Sequence, residues 1–446
     1  MNKELFEDYP VSKAITKLAL PTILSMLVNI IYNMADTFFV AQTQDENQVA
    51  AVTLCLPIFM LLMSLGNIFS IGGGSYVSRL LGEKQIEKIK NVTSFCFYGC
   101  IAIGLICTVS IIFFIDPILK FIGTSNNTYN FAKSYLMILA IGSAFICLQM
   151  GFAGLVRSIG ASKEAMIGMM IGTVLNIVLD PIMILTLNMG VTGAAIATII
   201  GNIASCVYFL IYFLRQKTYI SINIKHFVFK KDIIKNILII GIPVSLNTIL
   251  ISVSNILLNN FAASYSDTVV SALGIAGRVN TIAIMLFLGL SQGSQPFIGY
   301  NFAAKNYDRM NKGIKFGIIC SLFIGIGTFL GTYIFAEQLV KMFLSNPPEV
   351  VSYGKYFIRA IMSSCTILGI QFMFMATFQA MGKGGAALTV ALCRQILTFV
   401  PAVIIGNILF GLNGIVWAQP FADIVSVFIA TGMYFVIYKK IKKDNN

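Results

Sequence analysis

Along this chain charge is confined almost entirely to short intervals between long apolar stretches. Blocks of 20 or more mostly apolar residues fall at roughly 15–40, 48–76, 91–115, 131–156, 164–187, 191–214, 235–262, 270–298, 311–336, 352–379, 385–410 and 414–438. At about 1.5 Å per residue, each is long enough for one helical crossing of a bilayer. A β-barrel would instead alternate polar and apolar residues in segments of ~10 residues, and no such pattern is present. The hydropathy pattern therefore predicts an all-α integral membrane protein with twelve transmembrane helices. Composition agrees, because 11% charged residues is less than half the share of about 25% usual in soluble domains.

The net charge of +13 is explained by where its cations fall. With the amino terminus inside, the cytoplasmic side collects Lys3, Lys13, Lys17, Arg79, Lys84, Lys88, Lys90, Arg157 and Lys163. It also collects Arg215, Lys217, Lys225, Lys230, Lys231 and Lys235 of a central loop, Lys305 to Lys315, Lys383, and the tail Lys439 to Lys443. These make 24 of the 31 Lys and Arg, a positive-inside distribution rather than a nucleic-acid patch. Both termini are expected in the cytoplasm, in a multi-pass protein of the cell (inner) membrane. The nine cysteines all map to apolar blocks with no disulfide or metal spacing, and the single histidine, His226, lies in the basic loop.

Compared with itself, the chain repeats. Gly190-Val191-Thr192-Gly193 recurs as Gly411-Leu412-Asn413-Gly414 at an offset of 221. Ala19-Leu20-Pro21 answers Gly241-Ile242-Pro243, and Arg157-Ser158-Ile159-Gly160 answers Gln379-Ala380-Met381-Gly382, both at 222. This divides the chain into an amino-terminal lobe (1–214), a basic cytoplasmic linker (215–234), whose residues 219–231 are expected to tolerate change, and a carboxy-terminal lobe with a basic tail (235–446). Six helices per lobe relate the halves by a pseudo-two-fold along the membrane normal, an arrangement that encloses a cavity and opens it by rocking. Pro21 and Pro243, at matching positions, are candidate hinges; a static kink is the alternative. Gly168 with Gly172, Gly289 with Gly293, and Gly327 with Gly331 suit close helix packing. Gly72-Gly73-Gly74 permits a local unwinding or a close contact.

Two carboxylates stand inside these apolar blocks. No charge occurs from Leu18 to Ala35 or from Pro181 to Leu214, so Asp36 and Asp180 are isolated in hydrocarbon. An ionised side chain there costs a few kcal/mol or more and is kept where it faces a cavity, an ion or a partner. Asn176 is i−4 to Asp180 and shares its helix face, and Pro181 removes a backbone donor beside it. Asp36 lies 19 residues past Lys17 and Asp180 16 past Glu164, roughly 28 and 24 Å along straight helices, which puts them at similar depth. Two such carboxylates cannot both ionise cheaply. They would take up a proton, or Na⁺ with oxygens from Asn176, Thr198 and the backbone. The bland alternatives are an interfacial cap for Asp36 and a hydrogen-bond hub for Asp180. Arg278, Arg394 and Asp423 are the intramembrane charges of the second half. An Arg394–Asp423 ion pair fixing helix packing is weighed there against direct substrate contact.

These residues resemble the multidrug and toxic compound extrusion (MATE) family of transporters over essentially the whole chain. The resemblance rests on Leu20-Pro21-Thr22, Asp36-Thr37, Gly160-Ala161-Ser162-Lys163, the run Leu175-Asn176-Ile177-Val178-Leu179-Asp180-Pro181, and Gln295-Pro296 with Gly299-Tyr300-Asn301. It implies a cation site on Asp36, Asn176, Asp180 and Thr198. A second acidic site known in one branch would need acids in the seventh and tenth helices, and 235–262 and 352–379 contain none. The chain thus looks like the DinF- or MepA-like branch.

No Walker A loop, His-Glu-x-x-His or Gly-x-Ser-x-Gly occurs, so no enzyme is expected and no cofactor beyond a coupling ion. The expectation is a monomeric secondary active exporter that exchanges amphipathic, cationic compounds for H⁺ or Na⁺, with the bilayer and small-molecule substrates as its partners. Thirty-five Phe and twenty Met are available to line a repackable pocket. A lipid-linked precursor flippase would want a more cationic cavity than Arg278 and Arg394 provide. A non-transporting membrane receptor would bind a ligand without moving it.

Overall fold

The computed structural model describes residues 3–216, 219–343 and 348–443, so Lys217 lies outside the described residues. Ten helices are long and apolar enough to cross a bilayer singly, and two bent pairs supply the remaining crossings. The spans are α1 (Val11–Ala41), α2 (Glu46–Gly82), α3 (Ile86–Phe113), α4 (Asn126–Ile141 with Ser143–Ser158), α5 (Ser162–Thr186) and α6 (Gly190–Arg215). After the connector come α7 (Lys231–Ala263), α8 (Asp267–Ala303), α9 (Tyr307–Ile334), α10 (Pro348–Ser363 with Cys365–Ala380), α11 (Gly384–Phe410) and α12 (Leu412–Lys443). They form two lobes of six spans. Outward-facing apolar side chains such as Ile106, Val109, Phe323 and Ile408 stay exposed on the rim, as lipid-facing positions should.

Positions paired by the sequence repeat take the same backbone conformation. Lys84 and Lys305 have φ of 60° and 59°, Gly160 and Gly382 have 84° and 75°, and Gly190 and Gly411 have 53° and 57°. The bends match as well, with α4 turning by 53° at Gly142 and α10 by 45° at Ser364. At the first, the Ser143 hydroxyl reaches across to the Gly104 carbonyl at 2.7 Å; at the second, the Ser364 hydroxyl reaches across to Asp423 Oδ2 at 2.7 Å.

The lobes are sealed together at the end that carries the basic loops, called here the basic end. Glycines allow the closest approach, because a Cβ on Gly289 or Gly293 of α8 would stand 2.6 and 2.5 Å from the Ile23 and Ala19 Cα atoms of α1. Gly168 and Gly172 are likewise filled by α6, whereas Gly327 and Gly331 meet nothing within 4 Å and face open space. At mid-depth Ser245 donates to the Ser64 carbonyl at 2.6 Å, and Ser64 returns a bond to the Ser245 carbonyl at 3.3 Å. Nearer the basic end, Arg157 donates to Gln292 at 2.6 Å, and Asp232 of α7 takes Lys88 at 2.7 Å and the Tyr76 hydroxyl at 2.9 Å.

Both candidate hinge helices run unbroken through Pro21 and Pro243. Around Pro21, the Thr22 hydroxyl bonds the Leu18 carbonyl and the Ser25 hydroxyl bonds the Pro21 carbonyl, at 3.0 and 2.9 Å, so polar side chains steady the proline turn.

The expectation that residues 219–231 tolerate change needs correction, because the connector is docked rather than free. Ile220 is fully buried, the Tyr98 and Ser94 hydroxyls of α3 donate to the Ile222 and Asn223 carbonyls at 3.1 and 3.0 Å, and Phe227 stacks on Phe95. Basic composition alone suggested a solvated tether. What holds the connector is main-chain carbonyls meeting hydroxyls on one face of α3.

Candidate cation site and carboxyl-lobe cavity

Three helices position the amino-lobe polar cluster. α1 packs along α5, bringing Asp36 toward the segment that ends in Asp180, and α6 supplies Thr198 from the other side. Asp180 closes the α-helical part of α5, and from Pro181 to Thr186 the helix widens into a π turn. Pro181 lacks the N–H that would have continued the α ladder, and single π turns of this kind recur at functional sites. Gly72-Gly73-Gly74 shows both anticipated behaviours: Ile68–Gly73 is a π segment, and a Cβ on Gly73 would stand 2.5 Å from Cys96 Sγ.

All four sequence-nominated residues are buried, with Asp36 8% exposed, Asn176 2%, Asp180 0% and Thr198 4%. Asn176 Nδ2 donates to Asp180 Oδ1 at 3.3 Å and to Thr198 Oγ1 at 3.4 Å, and Asp36 is carried by α1, the helix packed along α5. Asp36 Oδ1, Asn176 Oδ1 and Asp180 Oδ2 have no hydrogen-bond partner although each atom is buried. An unsatisfied buried oxygen costs about 1–3 kcal/mol, and more when charged. Three of them, on two helices packed against each other, are groups that a proton or a small hard cation would satisfy. Among the described residues no group of three His, Cys, Asp or Glu side chains gathers in a way that could hold a metal ion.

Tyr32 belongs to this cluster and was missed in the sequence. Its hydroxyl sits 3.2 Å from Thr198 Oγ1. The available signal was its i−4 spacing from Asp36 on α1. A small cavity of about 40 Å³ between Tyr32, Asn176, Thr198 and Gln149 adjoins the cluster.

The large cavity lies elsewhere. About 520 Å³ in volume, it is lined from α7, α8, α10, α11 and α12 with only Asn67 and Ile71 from the amino lobe. It reaches Asn259 and Leu273, near the ends of α7 and α8 remote from the basic loops, and so opens away from the sealed seam. Arg278 and Arg394 both line it, while Asp423 does not. Arg394 Nε donates to Asp423 Oδ1 at 2.8 Å in a pair whose side chains are 7% and 2% exposed. Gln419 and Ser364 complete the carboxylate's shell at 2.8 and 2.7 Å. Arg278 stands apart from this pair, exposed at the cavity with its guanidinium 5.7 Å from the Phe343 ring. The asparagines of α7 were also missed, although Asn247, Asn255 and Asn259 recur at multiples of four in an otherwise apolar helix.

A family model described as MatE matches residues 21–182 and 243–404, once in each lobe. The chain belongs to the MatE family. The multidrug export protein MepA of Staphylococcus aureus (strain MSSA476) is 33% identical over 441 residues, 99% of this chain and 97% of that protein. MepA of Staphylococcus haemolyticus (strain JCSC1435) is 34% identical over 439 residues, covering 98% and 96%. A solved multidrug resistance MATE family transporter of the MOP superfamily, in an outward-facing conformation, superposes with a TM-score of 0.94 at 25% identity, covering 99% of this chain and 98% of that one. MatE proteins are transporters rather than enzymes.

Proposed function

We propose that this MatE protein exports amphipathic small molecules from the cell by exchange for an incoming H⁺ or Na⁺, the ion held by Asp36, Asn176, Asp180 and Thr198 and the exported molecule by the carboxyl-lobe cavity. The observation that carries this reading is the set of three unpartnered buried oxygens on Asp36, Asn176 and Asp180, a site that gains most from an ion and lies apart from the large cavity. The multidrug export proteins it resembles along 99% of its length support efflux as the direction of work. Antiport requires only that ion and substrate stabilise different states of one framework. Pro21 and Pro243 are the places where α1 and α7 would bend between those states. Any preference for cationic substrates would have to come from the amino-lobe carboxylates, since no acid lines the large cavity.

Orientation follows from the basic loops, which belong on the cytoplasmic side together with both termini. A single cysteine replacing exposed Lys225 should react with an impermeant maleimide only in inside-out vesicles. Labelling in intact cells would overturn this topology. A monomer holds every group the mechanism uses.

The test of function is uptake of a fluorescent amphipathic dye into proteoliposomes, with pH and Na⁺ gradients imposed one at a time. Accumulation should follow one gradient and collapse when it is dissipated. Dye that binds without accumulating under either gradient would favour a receptor. The precursor-flippase reading is weaker because it wants a more cationic cavity than Arg278 and Arg394 provide.

A further inference from the structure

We infer that the carboxyl-lobe cavity is a binding site for amphiphiles with an anionic headgroup. At about 520 Å³ it is large enough for a drug-sized ligand. Its charged lining consists of Arg278 and Arg394, with no Asp, Glu or His among the lining residues.

The one acid close by is out of play. Asp423 is 1% exposed and does not reach the lining. Its Oδ1 accepts from Arg394 and Gln419 and its Oδ2 from Ser364. Arg394 spends only its Nε on this contact, so the donors at the other end of its planar fork remain for a ligand in the cavity it lines. Arg278 has an aromatic face beside it and, among the described residues, no carboxylate within ion-pair distance. A ligand cation entering here would meet the Arg278 guanidinium at reduced dielectric; a carboxylate or phosphate would meet a fork shaped for it.

The neutral lining points the same way. Asn247, Asn255 and Asn259 project from one face of α7, with Ile251 at the remaining place of the four-residue spacing. Carboxamides inside a membrane span are costly unless they face water or a ligand, and each brings two N–H donors. From α11, Gln395 also lines the cavity and is 3% exposed with its Oε1 unpartnered, an acceptor for the hydroxyl or amide of a headgroup. Leu258, Phe372 and Met375 give the apolar surface an acyl or aryl tail needs.

This inference rests on the exporter reading for what it means in the cell, but binding is measurable without transport. The probes are a fluorescent dodecyl phosphate and tetraphenylphosphonium, titrated against the full chain in a maltoside detergent. Dodecyl phosphate should bind at least ~10-fold more tightly than tetraphenylphosphonium. Arg278→Gln, at an exposed position that should not disturb folding, should weaken dodecyl phosphate by ~10-fold and leave tetraphenylphosphonium unchanged or tighter. Arg278→Lys, with charge but no fork, should fall between. Inorganic phosphate should compete weakly, since it lacks the tail. Competition by phosphatidylglycerol would support the same headgroup chemistry with the bilayer as its source. Tighter binding of tetraphenylphosphonium, equal competition by inorganic phosphate, or an Arg278→Gln variant with unaltered dodecyl phosphate affinity would each overturn the inference. Failure here leaves gradient-driven export of the dye untouched, and absence of export leaves these titrations readable.

Discussion

Asp180→Asn removes ion-coupled export while leaving the protein folded and inserted. The substitution preserves shape in a site that is 0% exposed, and the new carboxamide can still face Asn176 and the unpartnered oxygens around it. What disappears is the ionisable group, so binding the ion can no longer favour one arrangement of the lobes over the other. Coupling free energies are typically about 1–3 kcal/mol, so gradient-driven uptake should fall by about 5- to 150-fold. Dye binding in the absence of a gradient should stay near its original value. Asp36→Asn should act in the same direction. Uptake at the unmodified rate in either variant, at matched reconstitution, would remove that carboxylate from the mechanism.

Asp423→Asn carries the largest expected cost in stability. It leaves the Arg394 guanidinium in a 7% exposed position without its counter-charge, and breaking one side of a buried pair costs about 3–5 kcal/mol. Ser364→Ala, which removes one donor from the same carboxylate, should cost about 1.5–3 kcal/mol. Replacing the pair together, Arg394→Met with Asp423→Leu, should recover most of the loss, because two buried charges and their desolvation leave at once. Thermal unfolding in detergent checks the series. A double variant no more stable than Asp423→Asn would mean that the pair's neighbours, rather than its charge balance, hold this part of the lobe.

Much of this molecule is legible in its sequence because a bilayer leaves few options for a backbone. Twelve apolar blocks became twelve crossings, two of them bent at Gly142 and Ser364, where neither length nor hydropathy marked a break. The intramembrane acids were visible for the same reason, since an isolated Asp in hydrocarbon is conspicuous. Tyr32 was not, because a tyrosine in an apolar helix is ordinary and only its partner on α6 gives it meaning. The docked connector was illegible for a different reason. Its anchors are main-chain carbonyls of Ile222 and Asn223, which no residue type announces. Gly327 and Gly331 show the converse, a packing motif in the sequence with nothing packed against it.

The central claim is that the amino-lobe carboxylates hold the ion that moves the lobes. It is tested most directly by cysteine accessibility at the two ends of the lobe interface, with single cysteines at Asn236 on the basic seam and Asn259 at the cavity mouth, in a background lacking the nine native cysteines. Reactivity toward a water-soluble maleimide is compared between the unmodified site and the Asp36→Asn, Asp180→Asn pair, from about pH 8 to about pH 5 and with or without Na⁺. The account predicts opposite changes at the two positions when the ion binds the unmodified site, and fixed reactivities in the double variant. A double variant that still responds to the ion as the unmodified protein does would contradict it.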